Sequence, residues 1–491
     1  MEKLRFMRGA AALLAGSAML FASCSDDDAP MPDPELTLTP DTEISLPVGG
    51  GSVEVAVSTN LGSWTALSNE TWCEVTLAEG KFTVSADAND ALAARPTATV
   101  TVTAGEGERS ITREVRVTQG AQTFTDLSAA GCANCYIVAP KSASVFDAAY
   151  KGNSSTESIG AAEGAELVWQ SAQGLVTRVA YAADEKKIIV ETADKSGNAV
   201  VAAVDESGTI LWSWHLWIVD YDPSASLFTT APNASGTTWS FMDRNLGALT
   251  VERGSFDSHG LLYQWGRKDP FMPARSAYHA DTDSNNIPAY NETNYEVGNG
   301  SGSWIFNATT LPLTTPPGNI PNAIQNPMTY LQPYYSDHYN WYCASKDEKV
   351  THSGLWGPEK TIFDPCPVGY KVPGSNLWGI PSGNTSLRNG GPVEDYDENG
   401  VSDKWDWNKA EDCGRRWKNT GDYYPMVGNV YYLSINKTTH NYTGGQAFYW
   451  TCQPTPVTTS ADCYRQDFND NWAIYQTGAH VYSAQVRCVK E

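Results

Sequence analysis

Apolar and polar residues alternate in short runs along the first part of the chain. Val53, Val55 and Val57 fall on one face of an extended segment. Phe82 with Val84, Val100 with Val102, and Val115 with Val117 repeat the same period of two. Turn-forming runs separate them: Gly49-Gly50-Gly51, Glu79-Gly80 and Gly105-Glu106-Gly107. Several short strands at that spacing predict an immunoglobulin-like β-sandwich over residues 36–120.

A second set of strands follows in residues 121–235, after a linker at Gln119-Gly120-Ala121-Gln122. Lys187–Val190, Ala199–Val204 and Thr209–Val219 are apolar enough to be buried, and Asp205-Glu206-Ser207-Gly208 joins the last two as a hairpin. In the last strand Trp212, Trp214, Leu216 and Ile218 share one face, with His215 and Trp217 on the other. The wide tryptophan face reads first as a domain interface, with a sugar-stacking surface as the alternative. His215 has no metal-type partner near it in sequence and reads as structural. Beyond residue 235 the periodicity weakens, and long loops dominate residues 236–491. A multi-domain, mainly β chain is therefore expected, with a distal domain that is α+β and loop-rich.

Composition narrows the function classes. The chain has 491 residues and a formal net charge of −23, which repels phosphate backbones and argues against a nucleic-acid partner. Lys3, Arg5 and Arg8 precede a short apolar run, Gly9 to Phe21, too short to span a bilayer and typical of an export signal. The predicted signal peptide covers residues 1–23. A tether of residues 24–35 follows, its prolines keeping it extended. Ten cysteines in an exported chain favour disulfides. Cys343, Cys366, Cys413, Cys452, Cys463 and Cys488 lie in the distal domain, and six cysteines allow about 15 connectivities. The pairing favoured here joins Cys366 to Cys488 and Cys452 to Cys463. Cys132 and Cys135, in Cys-Ala-Asn-Cys, are expected as a local disulfide or as two unlinked thiols. Cys73 is expected buried and free.

Four resemblances add to this reading. Phe21-Ala22-Ser23-Cys24 resembles a bacterial lipobox, with Phe21 where Leu is commoner. This implies cleavage before Cys24 and lipidation of its sulfur. Ser25, Asp26, Asp27 and Asp28 directly behind it resemble the lipoprotein export signal of Bacteroidetes, which implies a lipid anchor in the outer membrane and a chain facing the cell exterior. Trp64, Trp72, the strand start Arg95-Pro96-Thr97-Ala98-Thr99-Val100 and the closing Val117-Thr118-Gln119 resemble the BACON domain family. The family's name implies a carbohydrate link, but both tryptophans read here as core and the module as a spacer. Four landmarks in the distal part resemble the Fibrobacter succinogenes major paralogous domain. They are Met242–Ala248, Tyr263–Phe271, Asp364–Pro373 and Val486–Val489, with Gly374 departing from the pattern. That resemblance implies a C-type-lectin-like fold and brings no catalytic or ligand residues with it.

The sharpest local chemistry is an acidic loop. Counting Asp395 as position 1, oxygen side chains of Asp395, Asp397, Asn399, Asp403 and Asp406 fall at positions 1, 3, 5, 9 and 12. Gly400 sits at position 6, and Val401 offers a carbonyl at position 7. This is calcium-loop spacing, and an Asn-Gly hairpin tip explains the same residues. Trp405, Trp407, Tyr423 and Tyr424 are candidates to stack on sugar rings, with core packing as the alternative. No His-Glu-x-x-His, Gly-x-Ser-x-Gly or phosphate loop occurs, so no catalytic residue is assigned. Asp243, Asp269 and Asp364 stand as carboxylate candidates only by elimination. The expected function is a cell-surface lipoprotein that binds a polysaccharide, a host glycoprotein or a matrix ligand without catalysis, with calcium as its one candidate cofactor. The alternatives are a glycan-degrading enzyme and a structural subunit of a fimbria-like surface assembly.

Overall fold

A computed structural model describes residues 31–491 except 42, 90, 231–235, 237, 274–288, 291–295, 298–307, 311–318, 333–339, 343–353, 375–384, 387–392, 395–413, 418–421, 435–436, 442–446, 455–461 and 469–471. The chain divides into two compact units, Met1–Gln122 and Thr123–Glu491.

The first unit is a two-sheet sandwich. One sheet has the order β1 (Leu36–Thr39), β3 (Gly51–Thr59), β6 (Lys81–Ala86), β5 (Glu74–Ala78). The other has the order β2 (Ile44–Leu46), β8 (Ile111–Gln119), β7 (Ala98–Ala104), β4 (Trp64–Ser68). The alternation in the sequence becomes the burial pattern: inward Val55, Phe82, Val84, Val100, Val102 and Val117 are sealed, while their neighbours are exposed or half-buried. Trp64 and Trp72 pack half-buried against this core, Trp64 meeting Phe82 at 6.3 Å between ring centroids. Trp72 Nε1 donates to the Pro96 carbonyl at 3.0 Å. Cys73 is buried and free, as expected.

The second unit is built around β16 (Ile210–Ile218), which runs parallel to β10 (Cys135–Val138) and antiparallel to β15 (Gly197–Val204). β12 (Gly164–Gln170) continues that sheet beyond β15. A second sheet has the order β13 (Val176–Ala182), β14 (Lys187–Thr192), β11 (Ala143–Asp147), β9 (Thr125–Asp126). The predicted hairpin between β15 and β16 is present, its turn held by Asp205 Oδ1, which accepts from the backbone N–H of Ser207 and Thr209 at 2.9 Å each.

Both faces of β16 are buried, which changes the expected division of the chain. Trp212, Trp214, Leu216 and Ile218 join a core with Tyr136, Phe146 and Ile188. Trp217, on the opposite face, joins a core with Met242, Leu246, Trp265 and Trp450. The tryptophan face is thus interior, and the sugar-stacking alternative for it falls, since Trp212 and Trp214 are at most 1% exposed. The expected boundary near residue 235 falls as well, because residues from both sides of it share one core.

The four distal landmarks converge in that second core. Trp265 Nε1 donates to the Thr451 carbonyl at 2.9 Å, and Trp450 Nε1 to the Tyr263 carbonyl at 2.8 Å. Buried Arg267 donates to the carbonyls of Thr329 at 2.7 Å and Pro327 at 3.2 Å. Cys366 and Cys488 form a disulfide with Cα atoms 6.0 Å apart, as expected. The expected Cys452–Cys463 bridge does not form: Cys452 is a free, buried thiol, its backbone tied to the Pro373 carbonyl, and burial pushes it up to about 12. Cys132 and Cys135 are two unlinked thiols. Among the described residues the distal part is strand-dominated, with one α-helix, α1 (Ile320–Gln325), where an α+β domain was expected.

Candidate binding site

Several expected site residues lie outside the described residues: Cys24, Ser25, Asp26, Asp27 and Asp28, the whole loop Asp395, Asp397, Asn399, Val401, Asp403 and Asp406, and Trp405 and Trp407. Tyr423 and Tyr424 are described, and they are buried at 5% and 1% exposure. The Tyr424 ring carries the Arg487 guanidinium 3.9 Å from its centroid and meets Tyr449 and Phe228 edge-on. Its faces are occupied by protein, so the stacking expectation for this pair gives way to core packing.

The carboxylate candidates are each engaged in separate structural roles. Asp243 pairs with Arg244 at 2.8 Å. Asp364 accepts from the backbone N–H of Cys366 and Val372 at 2.9 and 2.8 Å and from Lys360 at 3.1 Å. Asp269 is buried with Lys268 at 2.6 Å and with the Ser213 hydroxyl at 2.6 Å. Nothing gathers them around one reacting centre. Among the described residues no group of His, Cys, Asp and Glu has a metal-holding arrangement.

A cavity of about 190 Å³ opens at the end of the β12–β15 pair. Its polar wall is Ser171, Ser196, Asn198 and Asp257. Its apolar wall includes Leu249, Phe256, Leu261, Met272 and Pro273. Antiparallel pairing places Ser171, just after β12, opposite Asn198: Ser171 N–H donates to the Asn198 carbonyl at 2.8 Å, and the Asn198 N–H donates to Ser171 Oγ at 2.9 Å. The facing wall is a short 3-10 turn, Phe256–Ser258, capped by Ser255 Oγ accepting from the Asp257 N–H. Two glycines let the backbone come this close. Gly247 and Gly260 both have φ in the left-handed region, +86° and +71°. A Cβ on Gly247 would lie 2.6 Å from Leu261 Cγ and 3.1 Å from Asn198 Oδ1, and one on Gly260 would lie 2.7 Å from the Leu246 carbonyl.

A buried hydrogen-bond chain orients Asn198. Its Nδ2 donates to the Gly247 carbonyl at 2.9 Å, so Oδ1 is the atom facing His215 Nε2 at 2.9 Å and must accept. His215 therefore carries its proton on Nε2, and its Nδ1 faces the Tyr263 hydroxyl at 3.5 Å. Burial pulls His215 down to about 3, which keeps the ring neutral and the chain in one orientation at ordinary pH. The chain leaves one Asn198 amide hydrogen uncommitted. The reading of His215 as structural stands, and the cavity gives it a positioning role. Sequence reasoning did not find this cavity; the signals available were the polar Asn198 at the head of an apolar strand and the glycines at 247 and 260.

The first unit matches a known family. Residues 35–118 match the family model of the viral BACON domain, which agrees with the BACON resemblance of the N-terminal module. No curated protein matches the chain. Among solved structures, a chimeric titin Z1Z2 carrying a decorin KLER peptide is 12% identical, covering 18% of this chain and 95% of its own, with a TM-score of 0.15. Zebrafish RET cadherin-like domains 1 to 4 are 11% identical, covering 38% and 51%, with a TM-score of 0.17. An endo-fucoidan hydrolase of glycoside hydrolase family 107 is 10% identical, covering 36% and 27%, with a TM-score of 0.19. Likenesses at those scores carry no argument about function.

Proposed function

We propose that the chain is a lipid-anchored surface protein whose second unit binds a glycan without catalysis. The observation that carries this reading is the cavity at Asn198: a preorganised amide and two hydroxyls oppose an apolar wall beside a half-buried aromatic ring. Concave sites of that composition suit small polyhydroxylated ligands. At about 190 Å³ the cavity is smaller than the roughly 300–1,000 Å³ of drug-sized sites, which fits one terminal sugar residue. The sandwich, BACON-like and with an immunoglobulin-like arrangement of strands, acts as a spacer. The distal segment keeps its expected likeness to the paralogous domain and to the C-type-lectin-like fold as a proposal. The ligand comes from a polysaccharide, a host glycoprotein or a matrix component. A glycan array with the purified full chain, in calcium and in chelator, tests this; no glycan bound in either condition would refute it.

The anchor and the metal are part of the same proposal. Cys24 carries the lipid and Ser25, Asp26, Asp27 and Asp28 direct the chain to the outer face of the outer membrane. A Cys24→Ser variant should lose palmitate labelling, and protease added to intact cells should degrade the wild-type chain. Calcium would be held by Asp395, Asp397, Asn399, the Val401 carbonyl, Asp403 and Asp406. Calorimetry reads this directly: equal calcium heats for wild type and Asp397→Ala would sink it. A glycan hydrolase is the less favoured reading, because Asp243, Asp269 and Asp364 are each held in separate ion pairs.

A further inference from the structure

We propose that the first unit takes up an extended, basic segment of a partner protein as a fifth strand, beside β5 in its four-stranded sheet. This stands apart from the glycan reading and rests on other residues. The two sheets of the sandwich have four edges, β1, β5, β2 and β4, and these differ. β1 and β2 are four and three residues long, and Pro40 and Pro47 follow them directly. Short edges that run into proline resist pairing with another chain. β4 and β5 are five residues each, and neither contains Pro, Lys or Arg. Their registers with β7 and β6 run without a bulge. Among the described residues, no strand pairs with β5 on the side away from β6.

Of the two open edges, β5 is the one whose core side is uncovered. Val75 lies opposite Val84 and Leu77 opposite Phe82, so all four point to the interior face. Phe82 and Val84 are sealed, Val75 is half-buried, and Leu77 is 51% exposed. On β4 the inward Ala66 is already buried, and the exposed Leu67 points away from the core. A strand added to β5 covers Leu77 with its own alternate apolar side chains and pairs with the open backbone edge. Charge sets the other face of the occupant. Beside the added strand stands the exposed Glu74, and exposed Glu79 follows β5 in the turn. Lys81, opposite Ala78, is paired with Glu54 at 2.6 Å. A second copy of β5, antiparallel and centred on Thr76, would set Glu74 of each chain beside Glu79 of the other. A segment with lysine or arginine on its outward face meets the same carboxylates with opposite charge.

The test uses the purified full chain and fluorescently labelled peptides, with affinities from anisotropy at low salt. The probes are a peptide of alternating valine and lysine, its valine–glutamate counterpart, and the lysine peptide N-methylated at every backbone nitrogen. The lysine peptide is expected to bind, and the glutamate peptide to bind roughly fivefold or more weaker. The N-methylated peptide, which has no backbone donors, should show no saturable binding. Leu77→Lys, a change at an exposed side chain, should weaken the lysine peptide roughly fivefold or more without altering the melting temperature. Glu74→Lys should reverse the preference toward the glutamate peptide. No saturable binding of the lysine peptide overturns the proposal. Equal binding of the N-methylated peptide overturns strand addition, and affinities unchanged in both variants overturn the placement at β5. A chain that sediments as a dimer and becomes monomeric in Leu77→Lys gives the edge to a second copy and overturns the basic occupant.

Discussion

Lys268 and Asp269 offer the most direct test of whether the distal landmarks are structural. The two side chains are 2% and 5% exposed and 2.6 Å apart. Ser213 closes the cluster: its hydroxyl donates to Asp269 Oδ1, and Lys268 Nζ donates to the Ser213 carbonyl at 3.0 Å. The ammonium also lies 4.7 Å from the Trp212 ring centroid. Burial lowers the Lys268 pKa, the expected direction for an ammonium taken out of water. Asp269→Ala leaves that ammonium with only Ser213 and the Trp212 ring, and breaking one side of a buried pair costs about 3–5 kcal/mol. Lys268→Met leaves the carboxylate with one hydroxyl and should cost a similar amount. The double variant removes both charges, so its loss should fall well below the sum, with a coupling of about 2–3 kcal/mol. Urea unfolding of the four proteins, followed by tryptophan fluorescence, measures the cycle. Single losses under about 1 kcal/mol that simply add would refute the reasoning.

Three further outcomes are expected. Replacing both Cys366 and Cys488 by Ala should destabilise the second unit by up to about 4.9 kcal/mol, the chain-entropy value for a separation of 122 residues; denaturant midpoints check this, and an unchanged midpoint would exclude the bridge. His215 should make stability depend on acid. Its folded pKa, about 3, lies below its unfolded value near 6.5, so the unfolded chain binds the extra proton. The contribution is complete above about pH 6.5 and is lost by up to roughly 1.4 kcal/mol per pH unit on acidification toward pH 3. Melting curves of wild type and His215→Gln at pH 7.5 and 5 should show a smaller acid drop in the variant. Tyr424→Ala should cost about 3–5 kcal/mol in stability, as for a buried aromatic. Tyr424→Ala should leave sugar affinity at the Asn198 cavity unchanged at temperatures where the variant is folded, as read by NMR titration.

The parts of the fold that depend on local period were legible. Val55, Val100 and Val117 took the inward positions their alternation implied, because a strand's side chains have only two faces to choose from. The hairpin at Asp205-Glu206-Ser207-Gly208 was legible for the same reason, since its turn chemistry is written in neighbouring residues. What failed was information that lives across long separations. β16 has large apolar residues on both faces, and sequence alone cannot distinguish an interface from a second interior. Trp217 donating to the Ala248 carbonyl at 3.1 Å ties residues on either side of the expected boundary. Cysteine pairing is the same kind of problem. Cys366 and Cys488 meet because the strands Tyr370–Lys371 and Val489–Lys490 pair. Cys452 instead ends up buried beside Pro373 with its thiol free.

The aromatic residues show why a binding site in this chain was hard to see. Residue type proposed Tyr423 and Tyr424 as sugar platforms, yet their environment is set by Arg487, which is 0% exposed and donates to the Tyr423 carbonyl at 2.7 Å while covering the Tyr424 ring. An aromatic with a buried cation on its face is a core residue, whatever its composition suggests. The cavity at Asn198 has one half-buried aromatic, Phe256, among its described lining residues, and draws on segments about 100 residues apart in order, from Ser171 to Met272. Its polar wall depends on Asn198 being fixed by His215 and Gly247, residues that the sequence places far apart. Their joint effect is to hold the Asn198 amide in one orientation beside the cavity. Burial alone takes from His215 its ordinary basicity, as for any histidine enclosed without a charged partner. The orientation of Asn198 is fixed by the packing it completes, through the Gly247 carbonyl on one side and His215 on the other.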